Sequence, residues 1–421
     1  MKKLLSLLIA AALVFALCGC EEIPTIELPE ETPQPTAAPE VTPEPAPETP
    51  EEPADPAQVI VSITRSVENQ YAPDDPQLLL LEFFYDTARV YVDGAEEATA
   101  AINDLLSRKE EQFYTGNDYG DGYSDGLNGY LEMALDNYQY VRESGTELNL
   151  TFSATRTVDV KHIGERTLSM VLEDYNYTGG VHGMGVDTAL VFDTRTGELL
   201  TLDAISDDGE ALKAAIVDSL VTICQTDEDY AARLFETDDL AGTLGGIVRE
   251  GKWYFGVDGL TVFSDPYEIG PYASGIITFT VPYGELEGVL KEEYLPVLRS
   301  TEATLTAGIL TESSNIIDRV VDQEDGDAVM LTLHGAAEDV KISKVLYYDL
   351  ESNSEFFETQ TLWYCNFVRS SAVQLMTSLP DGMPNVMISY RDGQGEHRCL
   401  LSQSGENGDY VLVSDTIQPV G

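Results

Sequence analysis

The chain has 421 residues, with 74 Asp or Glu against 23 Lys or Arg, so its formal net charge at pH 7 is −51. A surface this acidic repels the phosphates of nucleic acids and attracts cationic partners. Nucleic acids are therefore not expected among its partners. The alternative reading is that the acidic surface only keeps the protein soluble.

The first twenty residues have the organisation of an export signal. Lys2 and Lys3 precede an almost wholly apolar run, Leu4 to Leu17, which is shorter than the roughly 20 residues that span a bilayer. Leu17-Cys18-Gly19-Cys20 follows and resembles the bacterial lipobox. The resemblance implies that residues 1–19 are removed and that Cys20 carries diacylglyceryl, whose two acyl chains anchor a protein stably. Ordinary secretion with cleavage nearby is the alternative.

An acidic, proline-rich segment separates this start from the folded part. Residues Glu21 to Pro56 contain 11 prolines and 11 acidic residues, and neither Lys nor Arg. Such a composition buries too little apolar surface to offset its ordering entropy. We expect residues 20–57 to form a disordered stalk that reaches about 100 Å. It would hold the folded part off the membrane, facing outside the cytoplasm.

Hydrophobic spacing predicts mixed secondary structure up to residue 299. The predicted strands are Leu78–Val92, Glu147–Val160, Thr167–Tyr177, Val186–Phe192, Lys252–Phe263 and Gly275–Pro282. The predicted helices are Ala95–Phe113, Asn128–Val141, Gly209–Cys224, Glu228–Val248 and Glu285–Leu298. This order predicts an α+β fold, an antiparallel sheet with helices on one face.

The last part of the chain changes character. Residues 300–421 carry short strand-like runs separated by turns such as Asp325-Gly326, Asp381-Gly382 and Asn407-Gly408. They predict a small all-β domain, to which the sequence assigns no role.

Three cysteines remain after Cys20. Cys224 continues a helical apolar stripe, which predicts a buried thiol. Cys365 and Cys399 lie in strand-like runs and could form a disulfide if their strands are neighbours, because an exported protein meets oxidising conditions.

A Gly/Asp/Tyr loop between two predicted helices partly matches two motifs. Asp121, Asp125 and Glu132 fall at positions 1, 5 and 12 of a calcium loop, but Tyr123 stands at position 3, where a short oxygen ligand is needed. A solvated loop is the favoured interpretation. The string Gly122 to Gly126 also reads G-x-S-x-G, yet the strand that must precede a hydrolase serine is missing.

The histidines give no catalytic or metal pattern. His162, His182, His334 and His397 lie far apart, and no His-x-x-x-His or Cys-x-x-Cys spacing occurs. His182 follows Gly179-Gly180-Val181, where the glycines indicate tight backbone packing, and no nucleophile or acid partner is visible for it. We expect no cofactor and no enzymatic activity.

The loop from Asp265 to Gly275 is the favoured ligand-binding candidate. Pro266 and Pro271 stiffen it, and Tyr267 and Tyr272 offer large amphipathic rings at low entropic cost. The alternative is that both rings only cap the core.

Three strings of this sequence resemble one known family. LEDYNYTGGVHG, LVFDTRTGELLTLDAI and WYFGVDGLTVFSDPYEIGPYASGIITFTVPYGEL occur in the order found in the PdaC/RsiV-like extracytoplasmic domain family. That module occurs in a peptidoglycan deacetylase and in a lysozyme-receptor anti-sigma factor. The resemblance implies that residues 179–299 form this domain and that residues 58–178 form the α+β portion accompanying it. The deacetylase's metal-binding Asp/His set has no counterpart here, and a lipobox replaces the anti-sigma factor's membrane span.

These inferences predict a membrane-anchored, non-enzymatic surface lipoprotein that recognises a cell-envelope or host ligand. The resemblance implies a cationic protein such as lysozyme. The alternative is an envelope-maintenance protein that binds peptidoglycan or assists a cell-wall enzyme. A hydrolase is the third reading, and the missing catalytic constellation argues against it.

Overall fold

Most strands join one large mixed sheet. The computed structural model describes residues 54–117, 124–146, 151–309, 315–348, 357–379, 384–403 and 409–418. Within these residues thirteen strands form the large sheet and three form a smaller one. The strands of the large sheet are β1 Val59–Val67, β2 Gln70–Ala72, β3 Asp75–Val92, β4 Phe152–Ile163, β5 Thr167–Tyr177, β6 Met184–Asp193, β10 Ala303–Ile309, β11 Ile316–Val321, β12 Asp327–Tyr348, β13 Phe357–Thr377, β14 Val386–Asp392, β15 Gly395–Gln403 and β16 Tyr410–Gln418. The small sheet contains β7 Trp253–Phe255, β8 Gly259–Ser264 and β9 Ile277–Pro282.

The order of strands confirms the predicted α+β class. The large sheet runs β16-β15-β14-β12-β13-β1-β3-β4-β5-β6, with β10 on β12, β11 on β13 and β2 on β3. Its pairs are antiparallel except β3 with β4 and β11 with β13. Because β1 pairs with both β3 and β13, the all-β residues beyond 300 continue the same sheet.

Two helices form the crossover that the parallel pair β3 and β4 requires. They are α1, Glu96–Thr115, and α2, Gly126–Ser144. Ala98, Ile102 and Leu106 recur every four residues and are buried, so α1 packs one apolar face on the sheet. Both predicted helices are confirmed: α1 begins one residue later and ends two residues later than predicted, and α2 is longer at both ends.

The other face of this sheet region carries the small sheet and three further helices. These are α3 Gly209–Thr226, α4 Glu228–Arg233 and α5 Leu240–Gly245. Phe263 of β8 packs against Val171 and Ala189 of the large sheet. Cys224 is buried in the core between α3 and the small sheet, as predicted.

The predicted closing helix Glu285–Leu298 is wrong. Only two 3-10 turns form in this part, Tyr283–Glu285 and Glu292–Tyr294. Gly288 between them adopts φ +81°, a left-handed conformation that ends a helical path. The predicted helix Glu228–Val248 likewise divides into α4 and α5, because Asp239 caps the start of α5 by accepting from the Gly242 N–H.

The strand β12 joins the separate strand-like runs 329–333 and 340–348 of the sequence, and β13 joins the runs 356–368 and 372–377. The register of their pairing shifts between Leu333 and Ala336, where Gly335 has φ +88°. A glycine at this point bends the strand as a bulge instead of ending it.

The possible disulfide between Cys365 and Cys399 does not form. Neither thiol is part of a disulfide, and both are buried. Cys365 lies on β13 and Cys399 on β15, and β12 and β14 separate them. Three strand spacings amount to about 14 Å across a sheet, whereas a disulfide needs Cα atoms within about 7 Å.

No helix within the described part of the chain is both long and apolar enough to cross a membrane. The predicted signal segment and the lipidation candidate Cys20 lie outside the described residues.

Candidate functional site

The tip of the β5–β6 hairpin depends on its glycines. Gly179 and Gly180 have φ +105° and +97°, conformations that favour glycine. The Tyr177 hydroxyl donates to the Gly180 carbonyl at 3.1 Å and closes the tip. A Cβ at Gly183 would lie 2.3 Å from the Tyr175 hydroxyl oxygen. Only glycine therefore fits at position 183, directly after His182.

The loop Asp265 to Gly275 between β8 and β9 is held in place by α4. The Arg233 guanidinium donates to the Ser274 carbonyl at 2.9 Å and to the Ile276 carbonyl at 3.0 Å. Ser274 donates back to the Arg233 carbonyl at 2.8 Å. Buried Ile269 anchors the middle of the loop. The loop thus presents its tyrosines from a fixed backbone, in which Tyr267 has φ +70°.

The structure brings His182 together with the two predicted tyrosines. The His182 ring stacks on Tyr272, with ring centroids 3.7 Å apart and planes inclined by 15°. His182 Nε2 lies 3.0 Å from the Tyr267 hydroxyl, and the two tyrosine rings are 5.6 Å apart. We call His182, Tyr267 and Tyr272 the aromatic cluster.

Hydrogen bonds fix the orientation of the imidazole. His182 Nδ1 lies 2.8 Å from the Gly183 carbonyl oxygen, which can only accept, so Nδ1 carries a proton. In the neutral ring Nε2 then accepts from the Tyr267 hydroxyl. Both ring nitrogens are therefore occupied by partners that hold the ring against Tyr272.

The aromatic cluster faces solvent. Tyr267 is 49% exposed, and Val181 at the hairpin tip is 97% exposed. Tyr272 and Pro266 are half-buried and Pro271 is exposed. Because Tyr272 stacks on an imidazole at the surface, this geometry favours recognition over capping of the core.

Acidic groups lie on the neighbouring strands. Glu173 and Asp187 stand opposite each other in the β5–β6 register. The Asp187 N–H donates to the Asp265 carboxylate at 3.1 Å, so the acids continue into the loop of the aromatic cluster. Lys252 donates to the Asp265 carboxylate, and Lys161 lies 3.4 Å from Glu173.

Asp187 is the most perturbed acid of this group. Burial, followed by the negative charge of Glu173, raises the pKa of Asp187 to about 7, and the positive charge of Lys161 partly opposes this rise. Asp187 consequently exchanges its proton near neutral pH, close to the aromatic cluster.

Two of the three calcium candidates, Asp125 and Glu132, lie within the described residues. Asp121 lies outside the described residues, and no group of three or more His, Cys, Asp or Glu within the described ones is placed to hold a metal. The Asn117 backbone N–H donates to the Asp125 carboxylate. Glu132 is exposed seven residues along α2, about 10 Å further along the axis.

Glycines hold the base of that loop closed. A Cβ at Gly126 would lie 2.5 Å from the Gly116 nitrogen, and a Cβ at Gly116 would lie 1.9 Å from the Asp125 carbonyl oxygen. Gly116 and Gly126 therefore serve close backbone packing where α1 and α2 meet.

Sequence reasoning named the loop tyrosines but did not join them to His182, Glu173 and Asp187. The string Gly-Gly-Val-His-Gly indicates a constrained backbone beside a polar ring, and it is the one feature of the sequence that pointed to His182 as part of the site. Its contact with a loop 85 residues away is a product of tertiary structure.

One family model matches part of the chain. Residues 203–284 match the family described as "Protein of unknown function (DUF3298)". No curated protein matches the chain.

Two similar solved structures are described as DUF3298 family proteins. One is from Bacteroides fragilis, with 18% identity, a TM-score of 0.41, and coverage of 55% of this chain and 94% of that chain. The other is from Pseudomonas aeruginosa, with 18% identity, a TM-score of 0.38, and coverage of 58% of this chain and 99% of that chain.

Proposed function

We propose that this chain is a lipid-anchored, non-enzymatic surface protein whose aromatic cluster binds a cationic protein ligand such as lysozyme. The observation that carries the proposal is the cluster itself, two tyrosines and a histidine fixed by hydrogen bonds yet open to solvent. Pre-organised aromatic side chains are frequent binding hot spots, because little entropy is lost when a partner covers them. The resemblance of three sequence strings to the PdaC/RsiV-like family supports the proposal.

The surrounding charge favours a cationic partner. The chain carries a formal charge of −51, and Glu173, Asp187 and Asp265 lie beside the aromatic cluster. Long-range attraction between opposite charges accelerates encounter, while the aromatic rings, once the partner covers them, determine how long the complex lasts. The proposal therefore assigns the charge to the association rate and the rings to the dissociation rate.

Val181 adds an apolar contact at the same end of the molecule. It is almost fully exposed on the hairpin tip, next in sequence to His182. When a partner covers an exposed aliphatic side chain, its burial stabilises the complex, by about 1.5 to 3 kcal/mol if the burial is complete. We assign Val181 to the same contact surface as the aromatic cluster.

Surface plasmon resonance with the detergent-solubilised full chain and lysozyme tests the proposal. Tyr267→Ala and Tyr272→Ala should each raise the dissociation rate and weaken affinity by about 30-fold, which corresponds to about 2 kcal/mol. The association rate should still fall as salt rises, because the acidic surface is unchanged.

Tyr140→Ala is the matched control. Tyr140 is 69% exposed on α2, away from the aromatic cluster, and its loss should leave lysozyme binding unchanged. Circular dichroism must show every variant folded. Wild-type affinity in folded Tyr267→Ala and Tyr272→Ala proteins would remove the aromatic cluster from the site, and no binding by the intact chain would exclude lysozyme.

A further inference from the structure

A concave site lies on the face of the β5–β6 hairpin that is opposite the aromatic cluster. It is a cleft of about 310 Å³ between strands β4 to β6 and the facing ends of α1 and α2. We call it the helix-side cleft. The volume is near the lower end of the range for small-molecule sites.

The floor of the helix-side cleft lies on the face of the hairpin opposite the acids Glu173 and Asp187. Side chains alternate along a strand, so Asp174 and Asn176 point to the face opposite Glu173. Val186 and Thr188 likewise lie opposite Asp187 and complete this floor. The cleft and the aromatic cluster thus belong to one hairpin but to different faces.

The charges lining the helix-side cleft balance. Lys109 and Arg156 are its cations, and Asp125 and Asp174 are its anions. Arg156 donates to both Asp174 oxygens at 2.6 Å and is stacked over the Phe113 ring at 4.5 Å. In a chain of charge −51, a cleft whose two cations balance its two anions, and in which Arg156 and Asp174 are paired with each other, is suited to a neutral ligand.

The remaining lining is amide, hydroxyl and apolar. Gln112, Asn117 and Asn176 present carboxamides, which donate and accept together. Among the described residues, no hydrogen-bond partner is found for the Asn176 side chain, which is half-buried. Val186 is 44% exposed on the floor, and the half-buried Tyr130 ring stands on the α2 wall.

We propose that the helix-side cleft binds a neutral saccharide carrying N-acetyl groups. A carboxamide such as that of Asn176 pairs with the acetamido N–H and carbonyl, and Val186 receives the methyl group. Sugar rings present C–H faces that pack on an aromatic ring such as Tyr130. This inference does not rest on the proposed protein-binding function, because it uses other residues on another face.

Isothermal titration of the full chain with tri-N-acetylchitotriose tests the inference. Cellotriose, which lacks the acetamido groups, and the deacetylated cationic trimer serve as comparison ligands. Binding of the acetylated trimer at least 10-fold tighter than either is expected. Absence of binding at millimolar concentration, or equal binding of cellotriose, would overturn the proposal.

Variants locate the binding. Asn176→Ala and Tyr130→Ala should each weaken binding of the acetylated trimer at least 10-fold, and Asn176→Asp, which keeps the side-chain shape, provides a second reading if Tyr130→Ala does not fold. Tyr267→Ala, on the opposite face, should bind the trimer like the wild type. Loss of trimer binding in Tyr267→Ala with retention in Asn176→Ala would place the sugar at the aromatic cluster and refute the helix-side cleft.

Discussion

The backbone and the side chain of Asp187 lie in different environments. Its backbone caps the open edge of β6, where its N–H donates to Asp265 and its carbonyl accepts from Lys252 at 2.5 Å. Its side chain faces Glu173 across the hairpin. Burial beside a like charge makes ionisation of Asp187 unfavourable, which is the reason for its pKa of about 7.

This raised pKa makes stability depend on pH. In the unfolded chain Asp187 titrates near its ordinary value of 3.8 and in the folded chain near 7. The folded state therefore binds the proton more tightly, and the stabilisation is fully present below pH 4 and is lost as pH rises through 7. In Asp187→Asn this loss should disappear, a difference of roughly 2 kcal/mol after allowance for solvent screening.

Urea unfolding at pH 5 and pH 8 measures the effect. The wild type should lose more free energy of unfolding between these values than Asp187→Asn does. Asp207→Asn is the control, because the Asp207 side chain is 96% exposed. Identical pH profiles for the wild type and Asp187→Asn would show that Asp187 does not titrate in this range.

At the scale of elements, β1 connects the N-terminal strands of the large sheet to the strands beyond residue 300. It pairs with β3 over its whole length and with β13 at Ile60 to Ser62. Asn366 on β13 accepts from the Val59 N–H at 2.9 Å and donates to the Ala57 carbonyl at 2.9 Å. The side chain of Asn366 therefore replaces backbone pairing where β1 begins.

Asn366→Ala should lower the free energy of unfolding by about 2 kcal/mol, because the buried Val59 N–H and the more exposed Ala57 carbonyl both lose their partner. The thermal transition should stay single and shift as a whole, since strands from both parts of the chain share one sheet. Differential scanning calorimetry checks both points. Asn128→Ala, at an exposed position on α2, should leave the transition unchanged.

Two separate transitions, of which Asn366→Ala shifts one, would contradict this view of β1. They would show that the residues beyond 300 unfold independently despite the pairing of β1 with β13.

At the scale of the whole molecule, the last residues of the acidic, proline-rich segment contact the sheet beside β1. The Arg299 guanidinium donates to the Ala54 carbonyl at 3.0 Å, and Arg369 pairs with both Asp55 carboxylate oxygens at 2.7 Å. These contacts fix where the described chain enters the fold. A stalk attached at this point would carry the binding faces together as one body.

Anchoring through Cys20 is the prediction at this scale. Metabolic labelling with a fatty acid should mark the wild type, and Cys20→Ala should abolish the label and release the protein from membranes or block its processing, because the acyl chains have no other attachment. Cys18→Ala is the matched control and should keep the label. A membrane-bound, labelled Cys20→Ala protein would contradict the lipobox assignment.

The fold class and most elements could be predicted because they depend on local periodicity. The four-residue spacing of Ala98, Ile102 and Leu106 defines α1, and the helical stripe ending at Cys224 defines α3. The predicted helix Glu285–Leu298 failed because its apolar spacing did not reveal the left-handed backbone at Gly288. Spacing likewise did not reveal that Gly116 and Gly126 pack against each other at the base of the partial calcium motif.

The sequence by itself determined the composition-driven features of this protein: its charge, its candidate lipobox, its proline-rich segment and its alternation of helices and strands. These follow from residue types and short-range spacing, which no distant contact changes. Tertiary structure alone decided that β1 joins β13, that Cys365 and Cys399 lie apart, and that His182 stacks on Tyr272. Each of these depends on which strands become neighbours, a choice made by burial over the whole chain and not by local spacing.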